Sequence, residues 1–426
     1  MDGLLYTVWL SLSCTAGSET FAKLLSKYKT PNEIYDLEEY QIKAVIGSRS
    51  KDFNALCNKS LDKAAEVLNF CKTKGIGILT YFDKDYPKSL KEIKNPPVLL
   101  YYRGCLPDFN KYFFASIVGS RRITSYGRNN TFTVARDLAR AGAVIVSGMA
   151  MGIDGVAHAG ALSSDMPTIA ILGSGIDVCY PSVHLTLARE IVKTGCVMTE
   201  YAPGTGPEKQ NFPVRNRIIS GLSSVTIVME GLYRSGAILT ARHAKEQGKT
   251  VYALPGNVGN IYSQAPNLLL RNGAKILTSA YEVVEDFEMK ALGKLNIFDL
   301  AKNSPIDMFE VLSKYKISCV AQDDEIFRHS KSKRNKEIIK NETEEAVETA
   351  SEDNGSAIEE KAKSSLSPKV FGIYRKIPID KECQTDFLVD ENTTLRDVMS
   401  GLLTLEMLGF VTMLPGDRVK RNIGKK

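Results

Sequence analysis

Short apolar runs alternate with amphipathic segments through the middle of the chain, and this pattern predicts the fold. The apolar, β-branched runs fall at 76–81, 98–102, 116–119, 144–147, 168–172, 197–200, 225–229 and 250–254. Amphipathic segments separate most of them, which is typical of a parallel sheet covered by helices on both faces. We therefore predict a Rossmann-like, doubly wound, mostly parallel α/β domain over residues 76–288. Its ligand site should lie at the carboxyl ends of the strands.

The first 75 residues have a different period, because their apolar positions recur every three or four residues. This spacing predicts an N-terminal helical domain over 1–75, of the helix-hairpin-helix or SAM-like kind. A helix-hairpin-helix module would bind phosphate through a glycine-rich hairpin at 15–19. That segment contains a single glycine, Gly17, so a plain helical turn is the favoured interpretation.

The last third of the chain divides into two parts. Residues 289–366 form a variable segment followed by a basic and then an acidic block with few large apolar residues, which predicts a charged, disordered linker. Residues 367–426 regain helical periodicity and end in two short β-type runs, as in a winged-helix domain. Such domains bind DNA or protein, and Glu391, Asp397 and Glu406 favour a protein partner.

Composition narrows the functional classes only slightly. The 55 basic and 49 acidic residues leave a net charge of +6, which favours a polyanionic partner weakly. The eight cysteines include no CxxC pair, so we predict neither a metal site nor a disulfide framework. No apolar run approaches the ~20 residues of a membrane helix. We expect a cytoplasmic protein without membrane contact.

A glycine turn with two arginines follows the third predicted strand. Its residues are Gly119, Ser120, Arg121 and Arg122, and a helix is predicted from about residue 126. Backbone N–H groups at a helix start bind anions, and guanidinium groups suit phosphate. We therefore predict a phosphate site at this turn.

Two later strands end in similar turns. Gly148 lies in the first, over 147–154, and the second consists of Gly173, Ser174 and Gly175. None of these turns has the GxGxxG spacing of a dinucleotide site, so we predict no nicotinamide cofactor. A fourth anion-suited helix start contains Ser235 and Gly236.

Segment 211–222 carries the densest set of candidate DNA contacts, which are Asn211, Phe212, Arg215, Asn216 and Arg217. We expect the arginines at the mouth of the crevice, although either one could instead pair with an internal carboxylate such as Glu200. Phe212 and Tyr180 could stack on bases or pack in the core. We predict that Arg121→Ala and Arg217→Ala weaken single-strand binding with little loss of stability.

No convincing catalytic set emerges. Asp154 is best explained as a helix N-cap, and His158 as a structural histidine without an acidic or nucleophilic partner. We predict that the protein is not an enzyme.

Taken together, these segments resemble the DNA-processing protein A (DprA/Smf) family. The resemblance lies in residues 118–121, in 147–154 with Ala157 and His158, and in 212–223. It implies a protein that binds and protects single-stranded DNA during natural transformation, loads RecA recombinase onto it and dimerises through the Rossmann-like domain. It also implies DNA contacts at Gly119, Ser120, Arg121, residues 211–217, Ser235 and Gly236.

Two other functions fit parts of the pattern. Nucleoside-monophosphate phosphoribohydrolases have a related fold, but they need a Pro-Gly-Gly-x-Gly-Thr segment, and residues 234–240 lack it. A regulator could instead bind duplex DNA through the winged helix. Competition between single-stranded and duplex oligonucleotides distinguishes this possibility from single-strand binding.

Overall fold

The computed structural model divides the chain into two compact units, residues 1–330 and 331–426. The structure describes residues 2–291, 293–301, 306–317, 368–378, 383–384, 388, 398, 402, 405, 410–414 and 418–421. Most of the predicted charged linker therefore lies outside the described residues. None of the helices in these ranges is long and apolar enough to cross a membrane.

Six helices precede the sheet: α1 (Asp2–Ser13), α2 (Thr20–Leu25), α3 (Pro31–Tyr35), α4 (Glu39–Ile46), α5 (Phe53–Cys57) and α6 (Asp62–Lys74). Local capping fixes some of their starts, because Thr30 accepts a hydrogen bond from the Glu33 N–H at the start of α3. Their buried side chains, among them Val8, Trp9 and Leu24, join the same hydrophobic cluster as one face of the sheet. The helices therefore pack on the sheet and share its core.

Nine strands form the sheet, in the order β1-β2-β6-β5-β4-β3-β7-β8-β9. They are β1 (Gly77–Thr80), β2 (Leu99–Gly104), β3 (Phe113–Val118), β4 (Ala143–Ser147), β5 (Thr168–Ile171), β6 (Cys196–Thr199), β7 (Val225–Val228), β8 (Thr250–Ala253) and β9 (Lys275–Ile276). Within this order, every pair of neighbouring strands from β6 through β5, β4, β3, β7 and β8 to β9 is parallel. Strand β2 is antiparallel to both of its neighbours, β1 and β6. The prediction of a largely parallel α/β sheet is confirmed.

Helices cover both faces of this sheet. They are α7 (Lys88–Lys91), α8 (Ser125–Arg140), α9 (Ile153–Leu162), α10 (Leu185–Thr194), α11 (Asn211–Leu222), α12 (Gly236–Glu246), α13 (Gln264–Arg271) and α14 (Tyr281–Phe287). Alternate residues of one strand reach different cores: Ile145 belongs to the cluster that contains the buried residues of α8 and α9, whereas Val144 and Val146 belong to the one that contains those of α11 and α12. The strand order reverses between β3 and β7, which places the expected ligand crevice at their carboxyl ends.

The first unit continues past residue 288, where the predicted domain ends. A 3-10 helix (Ile297–Ala301) and α15 (Met308–Lys314) follow, and Leu295, Leu312 and Tyr315 are buried in the same core as α8 and α9. Residues 293–317, expected to be a variable segment or linker, contribute to that core as far as the structure describes them. Apolar residues spaced along this short stretch make the contact, and they were too few to indicate it from sequence.

The second unit combines α16 (Pro368–Lys376) with an antiparallel sheet of order β10-β12-β11. Its strands are β10 (Cys383–Gln384), β11 (Val411–Leu414) and β12 (Arg418–Arg421). Its core includes Ile373, Val398, Leu402, Leu405 and Val419. A winged helix remains a prediction, because parts of the second predicted helix lie outside the described residues.

Candidate nucleic-acid interface

The predicted glycine turns follow parallel strands and so lie along one edge of the sheet. Gly119 follows β3, Gly148 follows β4 and Gly173 follows β5, and these strands are neighbours. The turn before α12 follows β7, on the other side of β3. Turns from both sides of the strand-order reversal therefore face one crevice, as the sequence predicts.

The turn after β3, residues 119–122, is open to solvent. Arg121 and Arg122 are exposed, while Gly119 and Ser120 are half-buried. The Ile153 N–H donates to the Ser120 carbonyl at 3.1 Å, and the Arg122 N–H donates to Ser120 Oγ at 3.1 Å. The turn is thus held by α9 and by the Ser120 side chain, and both guanidinium groups stay available to a ligand.

Two aromatic rings lie beside this turn. The Arg121 guanidinium carbon is 5.1 Å from the centre of the Phe212 ring, and the Tyr180 and Phe212 ring centres are 5.6 Å apart. Tyr180 is 42% exposed and Phe212 is half-buried. Neither residue is therefore simply part of the core. We call Arg121, Phe212 and Tyr180 the stacking cluster, because a base could lie on these rings while the guanidinium holds a phosphate.

The start of α8, expected to accept an external anion, already holds one from the protein. Glu230 follows β7 and is buried, and its carboxylate accepts hydrogen bonds from the Thr124 N–H at 3.0 Å and Thr124 Oγ1 at 2.6 Å. Thr124 in turn caps α8 by accepting from the Gly127 N–H at 3.1 Å. The expectation of a phosphate at this helix start is wrong, because an internal carboxylate occupies it.

The turn after β4 is closed by two buried charges. The Asp154 carboxylate accepts from the N–H groups of Gly148 at 3.2 Å and Ala150 at 3.4 Å. Arg215 is 4% exposed and donates to the carbonyl of Gly148 at 2.8 Å and to that of Ile171. A Cβ atom at Gly148 would lie 2.1 Å from Arg215 Nη1, so any larger residue would displace this guanidinium from its carbonyl partners.

This closed turn corrects two expectations. The N-cap position of α9 is Gly152, and Asp154 lies in the first helical turn, where it binds the preceding loop. Arg215 faces inward and does not reach the crevice mouth. Burial raises the pKa of Asp154, although the positive charge of Arg215 opposes this shift, and burial lowers the pKa of Arg215 to about 10. Arg215 therefore remains charged at neutral pH.

The turn after β5 is covered by the loop 201–205. Gly173, Ser174 and Gly175 are buried. The Gly175 N–H donates to the Thr205 carbonyl at 2.8 Å, and the Ser174 hydroxyl donates to the Val178 carbonyl at 2.9 Å. This turn therefore forms part of the buried wall of the crevice, and its serine hydroxyl is bound to a carbonyl of the protein.

Arg217 forms a buried ion pair with Glu200. Arg217 Nη2 lies 2.5 Å from Glu200 Oε2, and both side chains are less than 10% exposed. The alternative raised from sequence, an arginine consumed by this carboxylate, is correct for Arg217. Segment 211–222 forms a helix, so its two arginines point to different buried partners instead of lining the crevice mouth together.

The start of α12 is the fourth turn. Arg234 and Gly236 are exposed, Ser235 occupies the N-cap position, and its hydroxyl has no hydrogen-bond partner within the described residues. Asn216 Nδ2 donates to the Gly236 carbonyl at 3.2 Å, which ties this turn to α11. This helix start differs from that of α8, whose N-terminal groups bind Glu230.

His158 is buried and uncharged beneath the closed turn. The Thr168 hydroxyl donates to the Ile145 carbonyl at 2.7 Å, so it must accept the 2.8 Å hydrogen bond from His158 Nδ1. Burial lowers the pKa of His158 to about 3, with smaller contributions from His184 and Arg215. This environment fits the structural role predicted for it.

Comparison with known proteins decides the family. The family model described as DNA recombination-mediator protein A matches residues 77–288. The DNA processing protein DprA of Bacillus subtilis is 38% identical over 224 residues, which cover 53% of this chain and 75% of that protein. The chain belongs to the DprA family.

Other DprA proteins agree with this assignment. DNA processing protein DprA of Streptococcus pneumoniae is 40% identical over 228 residues, covering 54% of this chain and 79% of that protein. The X-ray structure of DprA from Streptococcus pneumoniae aligns with a TM-score of 0.59 at 34% identity, covering 67% of this chain and 98% of that one. The DprA resemblance inferred from the glycine turns is therefore confirmed.

Sequence reasoning missed the residues that close the crevice from within. Glu230 and the loop 201–205 were not singled out, although Glu230 directly follows a predicted strand as a lone acidic residue. A carboxylate at a strand end facing a helix start is the one signal that could have identified it. The loop contacts of Thr205 depend on residues 30 positions away and leave no local pattern.

Proposed function

We propose that the protein binds single-stranded DNA across the crevice at the carboxyl ends of β3 and β7. The observation that carries this proposal is the stacking cluster beside an open, arginine-bearing turn. Arg121 and Arg122 supply exposed positive charge, and Phe212 and Tyr180 offer ring faces. Bases in a duplex are already stacked and paired, so rings in a crevice favour unpaired bases.

The sequence-derived contact residues fall into two groups under this proposal. Gly119, Ser120, Arg121, Arg122, Phe212, Ser235 and Gly236 are the direct DNA contacts, since all of them are exposed or half-buried. Gly148, Gly173, Ser174, Gly175, Asn211, Arg215, Asn216 and Arg217 are buried and act by shaping the crevice. Removal of a direct contact should weaken binding, and removal of a shaping residue should weaken the fold first.

The wider role follows from family membership. We propose that the protein acts in the cytoplasm during natural transformation, protects incoming single strands and loads RecA recombinase onto them. The family description, DNA recombination-mediator protein A, supports a role in recombination. We also propose a homodimer formed through the Rossmann-like domain. This part of the proposal rests on the family resemblance, because the edge strand β9 has only two residues and carries Lys275, features that disfavour pairing with another chain.

Nucleotide hydrolysis receives no support from the crevice. Its buried carboxylates Asp154 and Glu230 both accept hydrogen bonds from protein groups. The winged-helix alternative is a regulator that binds duplex DNA. It differs from our proposal in the DNA it should bind more tightly, which is duplex and not single strand.

Fluorescence anisotropy tests this preference. A labelled single-stranded oligonucleotide bound to the full chain is displaced with unlabelled single strand or with a duplex of the same sequence. We expect the single strand to compete at much lower concentration, with little dependence on base sequence. Equal or tighter competition by the duplex would contradict the proposal and favour a duplex-binding regulator.

A further inference from the structure

The loop between α1 and α2, residues 14–19, packs directly on α11. A Cβ atom at Gly17 would lie 2.6 Å from Val214 Cγ1 and 3.3 Å from Arg217 Nε. Asn95 Nδ2 donates to the Gly17 carbonyl at 2.8 Å and holds the loop from the other side. The loop backbone therefore touches the helix that carries Phe212.

Internal hydrogen bonds make this loop rigid. Asp52 is 3% exposed, and its carboxylate accepts from the Thr15 N–H at 3.0 Å, from Thr15 Oγ1 at 2.5 Å and from Ser18 Oγ at 3.0 Å. An internal carboxylate thus takes the place that a phosphate would have in a DNA-binding hairpin. The loop is built to hold a shape, which disfavours direct DNA contact at residues 15–19.

Opposite sides of α11 face the loop and the crevice. Val214 and Arg217 are three residues apart and face the loop, while Phe212 and Arg215 are also three apart and face the crevice and the closed turn. Arg217 is fixed by Glu200, and a β-branched valine has little rotamer freedom in a helix. Pressure from the loop would therefore move the helix rather than a single side chain.

We propose that the α1–α2 loop is a positioning element for the DNA crevice, acting through Gly17 on α11 and hence on Phe212 and Arg215. The inference rests on the proposed single-strand binding and deepens it. It makes the N-terminal helices a determinant of affinity although they contribute no direct DNA contact. Binding rings must be held within about half an ångström of their working position, so a small displacement of α11 lowers affinity.

Two glycine substitutions separate this effect from backbone strain. Gly17 and Gly47 both have positive φ angles, +72° and +78°, so alanine strains the backbone at either position. A Cβ at Gly47 meets nothing within 4 Å, whereas a Cβ at Gly17 meets Val214. We expect Gly17→Ala to weaken single-strand affinity at least several-fold and Gly47→Ala to leave it unchanged. Both variants should lose thermal stability through backbone strain, and Gly17→Ala should lose more because its Cβ meets Val214.

A second-site change tests the path through α11. Val214→Ala removes the atom that the new Cβ of Gly17→Ala would meet. The Gly17→Ala change should therefore lower affinity less in the Val214→Ala background than in the unmodified chain. Should Gly17→Ala fail to fold, Asn95→Ala loosens the same loop and should weaken binding. Circular dichroism and thermal melting confirm folding for every variant.

The outcomes separate the two proposals. If the unmodified chain does not bind single strands, the proposed function fails. If it binds them but Gly17→Ala or the folded Asn95→Ala binds equally well, the positioning role is overturned and the proposed function stands. Failure of Val214→Ala to restore the affinity of Gly17→Ala would also overturn it.

Discussion

The turn after β3 and helix α11 each carry two arginines, and the two pairs differ in their surroundings. Arg121 and Arg122 are exposed, whereas Arg215 and Arg217 are 4% and 7% exposed. The difference comes from buried acceptors on neighbouring strands and turns, which bind Arg215 Nη1 and Arg217 Nη2. Charge near a phosphate-suited turn is therefore free for a ligand only where no internal carboxylate or carbonyl has engaged it.

The same contrast applies to the helix starts of the crevice. Glu230 accepts hydrogen bonds at the start of α8, and Asp154 accepts them from the turn after β4. The start of α12 carries the exposed Arg234 and Gly236 instead. A carboxylate supplied by the chain stabilises a helix start as a phosphate would, and it also prevents a phosphate from binding there.

The largest expected effect is a loss of protein stability when the buried Arg217–Glu200 ion pair is broken. Arg217→Ala leaves Glu200 buried without its partner, so we expect the free energy of unfolding to fall by about 3–5 kcal/mol. The exposed Arg122→Ala serves as the matched control and should change it by less than about 0.5 kcal/mol. Urea denaturation followed by circular dichroism measures both. Equal stability of the two variants would remove the distinction between the two arginine pairs.

Acid should lower the free energy of unfolding through the buried His158. The exposed arginines keep their charge at any pH below neutral. The pKa of His158 is about 3 in the folded chain because of burial, against an ordinary value of 6.5. Below pH 6.5 the unfolded chain takes up a proton that the folded chain does not. The stability present above this pH is therefore lost as the pH falls towards 3, by about 2 kcal/mol at pH 5.

His158→Gln isolates this contribution. Unfolding free energies of the unmodified chain and the variant are measured from pH 7 to pH 5, and the variant should lose less stability over that range. His184 and His243, whose pKa values burial also lowers, remain in both proteins. Identical losses in the two proteins would contradict the assignment.

A smaller effect is expected on DNA affinity at the stacking cluster. Phe212→Leu keeps apolar volume but removes the ring, and its partial burial limits the loss to about 1 kcal/mol, or fivefold in Kd. Phe309→Leu is the control, because Phe309 lies 4.9 Å under the Arg128 guanidinium carbon and is 61% exposed on α15. Fluorescence anisotropy with single strands measures both variants, and equal affinities would exclude stacking on Phe212.

Much of the fold could be predicted because it depends on local patterns. The runs at 144–147 and 225–229 correspond to β4 and β7, since buried parallel strands are almost continuously apolar. β9 was missed because it has two residues, both exposed, with no alternation to detect. The contacts of Leu312 and Tyr315 with the core, beyond residue 288, were missed because the segment that carries them is short and has few apolar residues.

The candidate site could be located from sequence but not divided into exposed and buried parts. Glycine turns at strand ends lie in a known place in any doubly wound sheet, so their common edge was predictable. Whether Arg217 faces solvent depends on Glu200, 17 residues away on another element. Local spacing carries no information about that distance, and only the packed structure resolves it.

The salt dependence of single-strand binding by Arg121→Ala tests the central claim most directly. Arg121 is exposed and lies over the Phe212 ring within the stacking cluster. We predict weaker binding, unchanged thermal stability and a slope of log affinity against log salt reduced by about 0.7, which corresponds to one lost phosphate contact. An unchanged affinity and slope, or a variant that unfolds, would contradict the assignment of the exposed arginines to DNA and the buried ones to the fold.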